Sequence, residues 1–392
     1  MDKLSTLINE LCPSGVEYKT LNEIANYRRG SFPQPYGQAS WYGGEGAMPF
    51  VQVADVTDTF KLVDETKQTI SKLAQPKSIF VPKGTVIVTL QGTLGRVAIT
   101  QYDSYVDRTL AIFESFKIDN IDKKYFAYQL KAKFDVEKQH ARGSTLKTIT
   151  KEEFSKFAIP VPTMEVQCEI VRILDNFTEL TAELTAELTA RKKQYEYYRD
   201  ELLTFDENIQ YVKLTDIASI CRGVRVVKSQ LNNNDTIPVY QNSLTPLGYF
   251  YKSNCKANTP FIISAGAAGE IGYSRESFWA ADDCFYFQCK PELNNRFLYY
   301  TLLSQYSYIH SRVRKASIPR LSRVVIESLR IPLPPLAEQV RIVSILDRFD
   351  KLCNDISVGL PAEIEARKKQ YEYYRDKLLT FEPIQSTEKE LA

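Results

Sequence analysis

The segment ARKKQYEYYRDELLTF begins at Ala190, and ARKKQYEYYRDKLLTF begins at Ala366. The copies differ only at Glu201 against Lys377. An internal repeat of this fidelity fixes the architecture before any local reading, because each copy must be one structural unit used twice. Two more anchors extend it. IPVPTMEVQCEIVRILDNFTEL from Ile159 matches IPLPPLAEQVRIVSILDRFDKL from Ile331, sharing Gln167/Gln339, Ile170/Ile342, Asp175/Asp347 and Phe177/Phe349. VEYKTLNEIANYRRG from Val16 echoes IQYVKLTDIASICRG from Ile209. Each half therefore runs variable domain, Ile-Pro-x-Pro, long helix.

Between the anchors the halves diverge, but their local signals recur in order. PKGTVIVTLQGTLGRVAIT and TPFIISAGAAGEIGYS both read as strand, tight glycine turn, strand. KYFAYQLKAKF and RFLYYTLLSQY follow as short helices. Each variable domain is expected to be mixed α/β with a twisted, largely antiparallel sheet.

Pro160, Pro162 and Thr163 close the first variable domain and open a helix, as Pro334 and Pro335 do in the second. From there Leu180, Leu184, Leu188, Tyr195, Tyr198, Leu202 and Phe205 continue an apolar stripe at steps of three and four. The second helix repeats it through Ile356 to Tyr371, Tyr374, Leu378 and Phe381, with a kink or split expected at Gly359 and Pro361. Such a stripe must be covered. Either the two helices pair antiparallel as a coiled coil, which is the preferred reading, or each packs on its own domain. The charged aromatic segment RKKQYEYYRD exceeds what a core seam needs, so its duplication suggests two equivalent docking sites for one kind of partner. Only the first copy is preceded by Thr-Ala-Glu-Leu units, at Thr181 and Thr185. Each unit adds about 6 Å of helix, so the helix can act as a ruler; replication slippage in a tolerant helix is the alternative.

Chemistry is hard to find. The chain has 392 residues and two histidines, His140 and His310, each followed two residues later by an arginine rather than by a supporting acid–base cluster. Gly266, Gly269 and Gly272 have the wrong spacing for a dinucleotide fingerprint, and no phosphate loop is present. The seven cysteines form no C-x-x-C pair and read as reduced cytosolic thiols. No export signal and no membrane span of about 20 apolar residues is read, so a cytoplasmic protein is expected.

Basic residues cluster where the halves correspond. Arg312, Arg314, Lys315, Arg320 and Arg323 precede the second Ile-Pro-x-Pro, as Arg142, Ser144 and Lys147 precede the first. Arg28 and Arg29 are answered by Arg222 and Arg225. The net charge is only +2, but so placed these residues can neutralise phosphates; solvated surface charge is the plain alternative. Candidates for base reading, by loop position and side-chain type, are Gln91, Thr93 and Arg96 in the first domain and Gln241 and Asn242 in the second.

The duplicated helix motif, the duplicated Ile-Pro-x-Pro…Gln…Ile…Leu and the Thr-Ala-Glu-Leu units resemble the specificity subunit of type I restriction–modification enzymes, particularly the IC group, over essentially the whole chain. The resemblance implies an α+β fold: two α/β target-recognition domains separated by two long antiparallel helices forming a coiled-coil spacer, in a pseudo-twofold tandem duplication. The expected segments are 1–160 (first recognition domain), 161–207 (first spacer helix), 208–332 (second recognition domain), 333–383 (second spacer helix) and 384–392 (tail). It implies recognition of a bipartite, asymmetric site in double-stranded DNA and assembly with two methyltransferase subunits and with restriction–translocation subunits. It implies a non-catalytic chain that binds no metal or cofactor itself, with S-adenosylmethionine, ATP and magnesium on the partners. The competing reading is a two-domain protein-interaction scaffold without DNA recognition.

Overall fold

In the computed structural model the described residues are 2–140, 149, 151–232, 234–355 and 358–384. Arg142, Ser144, Lys147 and Ile356 lie outside them. Packing divides the chain into two compact units, residues 1–183 with 366–392, and residues 184–365.

In the first unit, β1 (Tyr18–Thr20) is followed by β2 (Ala25–Arg29), β3 (Met48–Val51), β4 (Gln68–Ile70), β5 (Phe80–Val81), β6 (Val86–Thr89), β7 (Val97–Ile99), β8 (Ser104–Val106), β9 (Leu110–Phe116) and β10 (Ala158–Pro160). One four-stranded sheet has the order β2-β9-β6-β7 and is antiparallel throughout. A second has the order β4-β3-β8-β5, with β3 and β8 parallel. The β-branched run Val86–Thr89 is buried on both faces, as a strand covered on both sides must be. The helix Lys123–His140 inserts Tyr125, Phe126 and Phe134 into the core.

The second unit repeats the plan with other residues. Its strands are β11 (Tyr211–Lys213), β12 (Ala218–Arg222), β13 (Ile237–Tyr240), β14 (Gly248–Phe250), β15 (Thr259–Ile263), β16 (Ile271–Ser274), β17 (Trp279–Ala280), β18 (Cys284–Cys289) and β19 (Arg330–Pro332). The sheet β12-β18-β15-β16 is antiparallel, and β14-β13-β17 contains one parallel pair. The helix Asn295–Ser304 fills the core with Phe297, Leu298 and Tyr300; Asn294 caps it by accepting from the Arg296 and Phe297 N–H groups. The strand–turn–strand and helix expectations hold in both units.

Met164–Leu202 is one helix of 39 residues. No glycine or proline interrupts it, and Ala, Leu and Glu dominate its middle. The second long helix is split into Leu336–Asn354 and Leu360–Leu378. The break lies at Gly359, where a β-carbon would come within 2.5 Å of the Lys351 carbonyl oxygen. Pro361 then sits in the first turn of the new helix, where its missing N–H costs nothing.

The buried stripes do not all stay with the domain that precedes them. In the first unit, Tyr374 stacks on Phe177 at 5.5 Å, and Leu378, Leu379 and Phe381 join the core. Tyr18 donates to the Phe381 carbonyl at 2.9 Å, and the Val16 N–H donates to the Glu382 carbonyl at 2.9 Å. Tyr18 also pairs with Pro160. Within the first unit, residues 366–378 therefore run opposite to residues 164–183. In the second unit, Tyr198 stacks on Phe349 at 5.9 Å, and Tyr195 and Leu203 enter the core beside Leu346. Each duplicated helix end thus completes a core with the other repeat's helix start.

Two repeated polar residues lock these helix starts. Gln167 is fully buried; its amide oxygen accepts from the Asp122 N–H at 2.8 Å, and its NH₂ donates to the Asn120 and Pro162 carbonyls at 2.9 and 2.8 Å. Gln339 does the same with the Asn294 N–H and the Glu292 and Pro334 carbonyls at 2.8, 2.9 and 2.9 Å. Asp175 accepts from Lys124 Nζ at 2.7 Å and Tyr128 Oη at 2.8 Å. Asp347 accepts from Arg296 Nε at 2.7 Å and from the Tyr300 hydroxyl. Burial, with these carboxylates nearby, pushes both tyrosine hydroxyls far above their ordinary pKa.

Candidate DNA interface

One end of the main sheet is built alike in both units, from backbone bonds rather than matching side chains. In the first unit the Gly30 N–H donates to the Leu110 carbonyl, Asp107 N–H to Val51, Leu90 N–H to Thr109, Thr89 N–H to Arg96 and Gly95 N–H to Thr89. In the second, Gly223 N–H donates to the Cys284 carbonyl, Ala281 N–H to Tyr240, Ser264 N–H to Asp283, Ile263 N–H to Glu270 and Gly269 N–H to Ile263. The two turns therefore superpose residue for residue, Gly92 on Gly266 and Gly95 on Gly269. All four glycines have positive φ between 69° and 94°, the left-handed region that disfavours a β-carbon. Gly30 and Gly223 are equivalent for another reason. A β-carbon on either would come within 2.2 Å of a carbonyl oxygen of the crossing chain.

In the second unit the frame gathers several of the expected residues. Gln241 and Asn242 follow β13, and the Asn242 carbonyl accepts from the Ala267 N–H in the glycine turn at 2.9 Å. The basic loop closes on the same turn. Arg314 and Arg320 form a two-residue bridge, Arg320 pairs with Ala265, and the Pro319 carbonyl accepts from the Gly266 N–H. Arg312, Arg314, Lys315 and Arg320 are exposed, with the Arg312 guanidinium 5.1 Å from the Tyr308 ring centre. Arg323 is exposed but pairs with Glu327 at 2.7 Å along its own helical turn. Arg222 donates to the Asp282 carbonyl at 2.9 Å, and Arg225 is exposed beyond it. His310 is exposed with its ring stacked on Tyr306 at 5.4 Å.

In the first unit, Gln91 and Thr93 lie on the equivalent turn, half-buried and exposed respectively. Arg29 is exposed, and Arg28 is 3.7 Å from Glu114. Arg96 is turned away: it donates to the Val56 carbonyl at 3.3 Å and pairs with Asp58 at 3.2 Å, so it braces a loop.

Three residues at this sheet end escaped sequence reading. Gln52 occupies the place of Gln241, because Val51 and Tyr240 make the same backbone bond. Arg108 likewise occupies the place of Asp282. In this register Pro49 matches Pro238 and Gln52 matches Gln241, too little to align the segments by sequence; Arg108 and Asp282 are aligned by the hydrogen-bond register alone.

The helix residues sort by burial. Tyr195, Leu378 and Phe381 are buried, and Leu188, Leu202, Phe205, Tyr371 and Tyr374 are half-buried against the two cores. Leu180 and Leu184 are half-buried. These are mainly packing residues. Of the apolar stripe only Tyr198 is exposed, at 39%; the most exposed aromatics of the duplicated segment are Tyr197 and Tyr373, at 66% and 63%, the same position in each copy.

Among the described residues, no group of three or more His, Cys, Asp or Glu side chains could hold a metal, and no helix is long and apolar enough to cross a membrane.

The model of the type I restriction modification DNA specificity domain matches twice, over residues 13–191 and 206–366. The specificity subunit of the type I restriction enzyme EcoprrI of Escherichia coli is 27% identical over 379 residues, 91% of this chain and 93% of that protein. The EcoR124I/EcoR124II specificity subunit of Escherichia coli is 34% identical over 262 residues, 58% of this chain and 64% of that one. The crystal structure of the type I restriction–modification S subunit from M. genitalium shares the fold, with a TM-score of 0.59 at 17% identity over 93% of this chain and 96% of that chain. With two specificity domains covering most of its length, this chain belongs to the family of type I restriction–modification specificity subunits, non-catalytic chains that give such enzymes their DNA sequence specificity.

Proposed function

We propose that the two units read the two halves of a bipartite, asymmetric DNA target, and that the long helices set the length of the unread gap between them. The observation that carries this reading is the repeated sheet-end frame. One backbone scaffold occurs twice and, apart from the matched Gln52 and Gln241, displays unlike side chains, as expected of two readers for two different half-sites. Exposed Arg314, Lys315 and Arg320 supply phosphate contacts beside Asn242, which has the chemistry to read adenine. Two methyltransferase subunits dock on the duplicated helix surfaces around Tyr197 and Tyr373, and restriction–translocation subunits join that assembly. S-adenosylmethionine, ATP and magnesium belong to those partners, and the complex works in the cytoplasm. The reading predicts that footprinting with the assembled methyltransferase protects two short blocks flanking an unprotected gap. One continuous block, or protection independent of sequence, would remove it.

A further inference from the structure

Arg108 and Asp282 hold the same place in the two recognition frames. Each lies between a residue whose N–H binds the end of a neighbouring strand (Asp107 to Val51, Ala281 to Tyr240) and one whose carbonyl receives the glycine-turn segment (Thr109 from Leu90, Asp283 from Ser264). One half thus carries a planar cation where the other carries a carboxylate.

Arg108 is exposed, and no ion pair claims it among the described residues. Its guanidinium carbon lies 4.6 Å from the centre of the Tyr36 ring. That ring is stacked at 5.3 Å and 24° on Phe32, which is buried and itself 4.6 Å from Phe50. A guanidinium held against a ring anchored in this way is restrained, and without an ion pair it keeps its N–H donors for a two-point contact. Asp282 is half-buried and its carbonyl holds Arg222; its Oδ1 is buried without a hydrogen-bond partner, so the carboxylate can meet a base only through its other oxygen. It offers only acceptors.

We infer that these two residues read opposite base chemistries. Arg108 donates to the O6 and N7 acceptors of a guanine in the half-site of the first unit. Asp282 accepts from an exocyclic amino group, of cytosine or adenine, at the corresponding place in the other half-site. The inference rests on the bipartite reading above and adds that the half-sites are complementary in polarity at one matched position.

The test is methylation-motif sequencing of host DNA carrying the full chain or the variants Arg108→Ala, Arg108→Lys and Asp282→Asn, each assembled with its methyltransferase. Arg108→Ala is expected to relax one guanine of one half-site by about 5- to 150-fold and to leave the other half unchanged. Arg108→Lys relaxes the same position, because a point charge lacks the two-pronged edge. Asp282→Asn relaxes one amino-bearing base of the other half only; its identity in the motif tells cytosine from adenine. The inference falls if Arg108→Ala lowers methylation evenly while Arg108→Lys restores it, the signature of a phosphate contact. It falls equally if either variant leaves the motif intact or alters both halves. If the unaltered chain itself yields no two-part motif, the bipartite reading fails instead, which keeps the two failures apart.

Discussion

Replacing Gln339 by Leu removes a three-bond latch without opening a large cavity, since the two side chains are similar in size. Gln339 is fully buried, and its amide serves the Asn294 N–H and the Glu292 and Pro334 carbonyls. Leucine leaves the buried Pro334 carbonyl unpaired and takes the partner from the part-buried Asn294 N–H and Glu292 carbonyl. Each costs about 1–3 kcal/mol, partly offset by the better burial of an apolar side chain, so the net loss is about 3 kcal/mol. For a unit of this size that lowers the melting temperature by roughly 6–12 °C. Calorimetry with denaturant titration gives the global loss. Hydrogen exchange locates it, because protection at Asn294 should fall first. Gln167→Leu should behave alike in the first unit, exposing the Asp122 amide. A loss below about 1 kcal/mol with Asn294 still protected would refute the latch, since buried polar groups cannot be left unpaired that cheaply.

Further outcomes follow from the same geometry. Deleting Thr185–Leu188 removes one four-residue unit, about 6 Å of helix; motif sequencing should show a shorter gap with both half-sites unchanged, and altered half-sites would sink the ruler. Tyr197→Ala with Tyr373→Ala should weaken co-purification of the methyltransferase subunit at least about tenfold, with the melting temperature moved by less than about 2 °C. Burial holds the Cys255 and Cys289 thiols up at about 12, while Cys168 is exposed. Brief alkylation of the native protein at pH 8, read by peptide mass spectrometry, should therefore label Cys168 first; early labelling of Cys255 would contradict that burial.

The duplication was legible because helices declare themselves by apolar spacing, and these repeat nearly letter for letter. The split at Gly359 and Pro361 was legible too, for steric reasons that hold in any context. Which core each helix end completes was not. The stripe of Tyr371, Tyr374 and Leu378 says only that something covers it, and its cover lies more than 150 residues earlier in the chain. Gln167 and Gln339 could be matched as letters, but their role depends on three backbone groups that meet only in the fold. The recognition frame was least legible. It is fixed by main-chain bonds and a few glycines, which leave the intervening side chains free to differ, so Arg108 and Asp282 share a place but no sequence neighbourhood. Tyr197 and Tyr373 were within the repeated motif, yet helical spacing alone did not separate their exposed face from the packed face of Tyr195 and Tyr371.

The central claim is that two unlike readers on one repeated scaffold define one split target. Long-read sequencing of adenine methylation, in hosts with and without this gene, measures it most directly. The account predicts one gene-dependent motif made of two different short blocks around a gap of constant length. A gene-dependent motif that is continuous or palindromic, or methylation unchanged by loss of the gene, would contradict it.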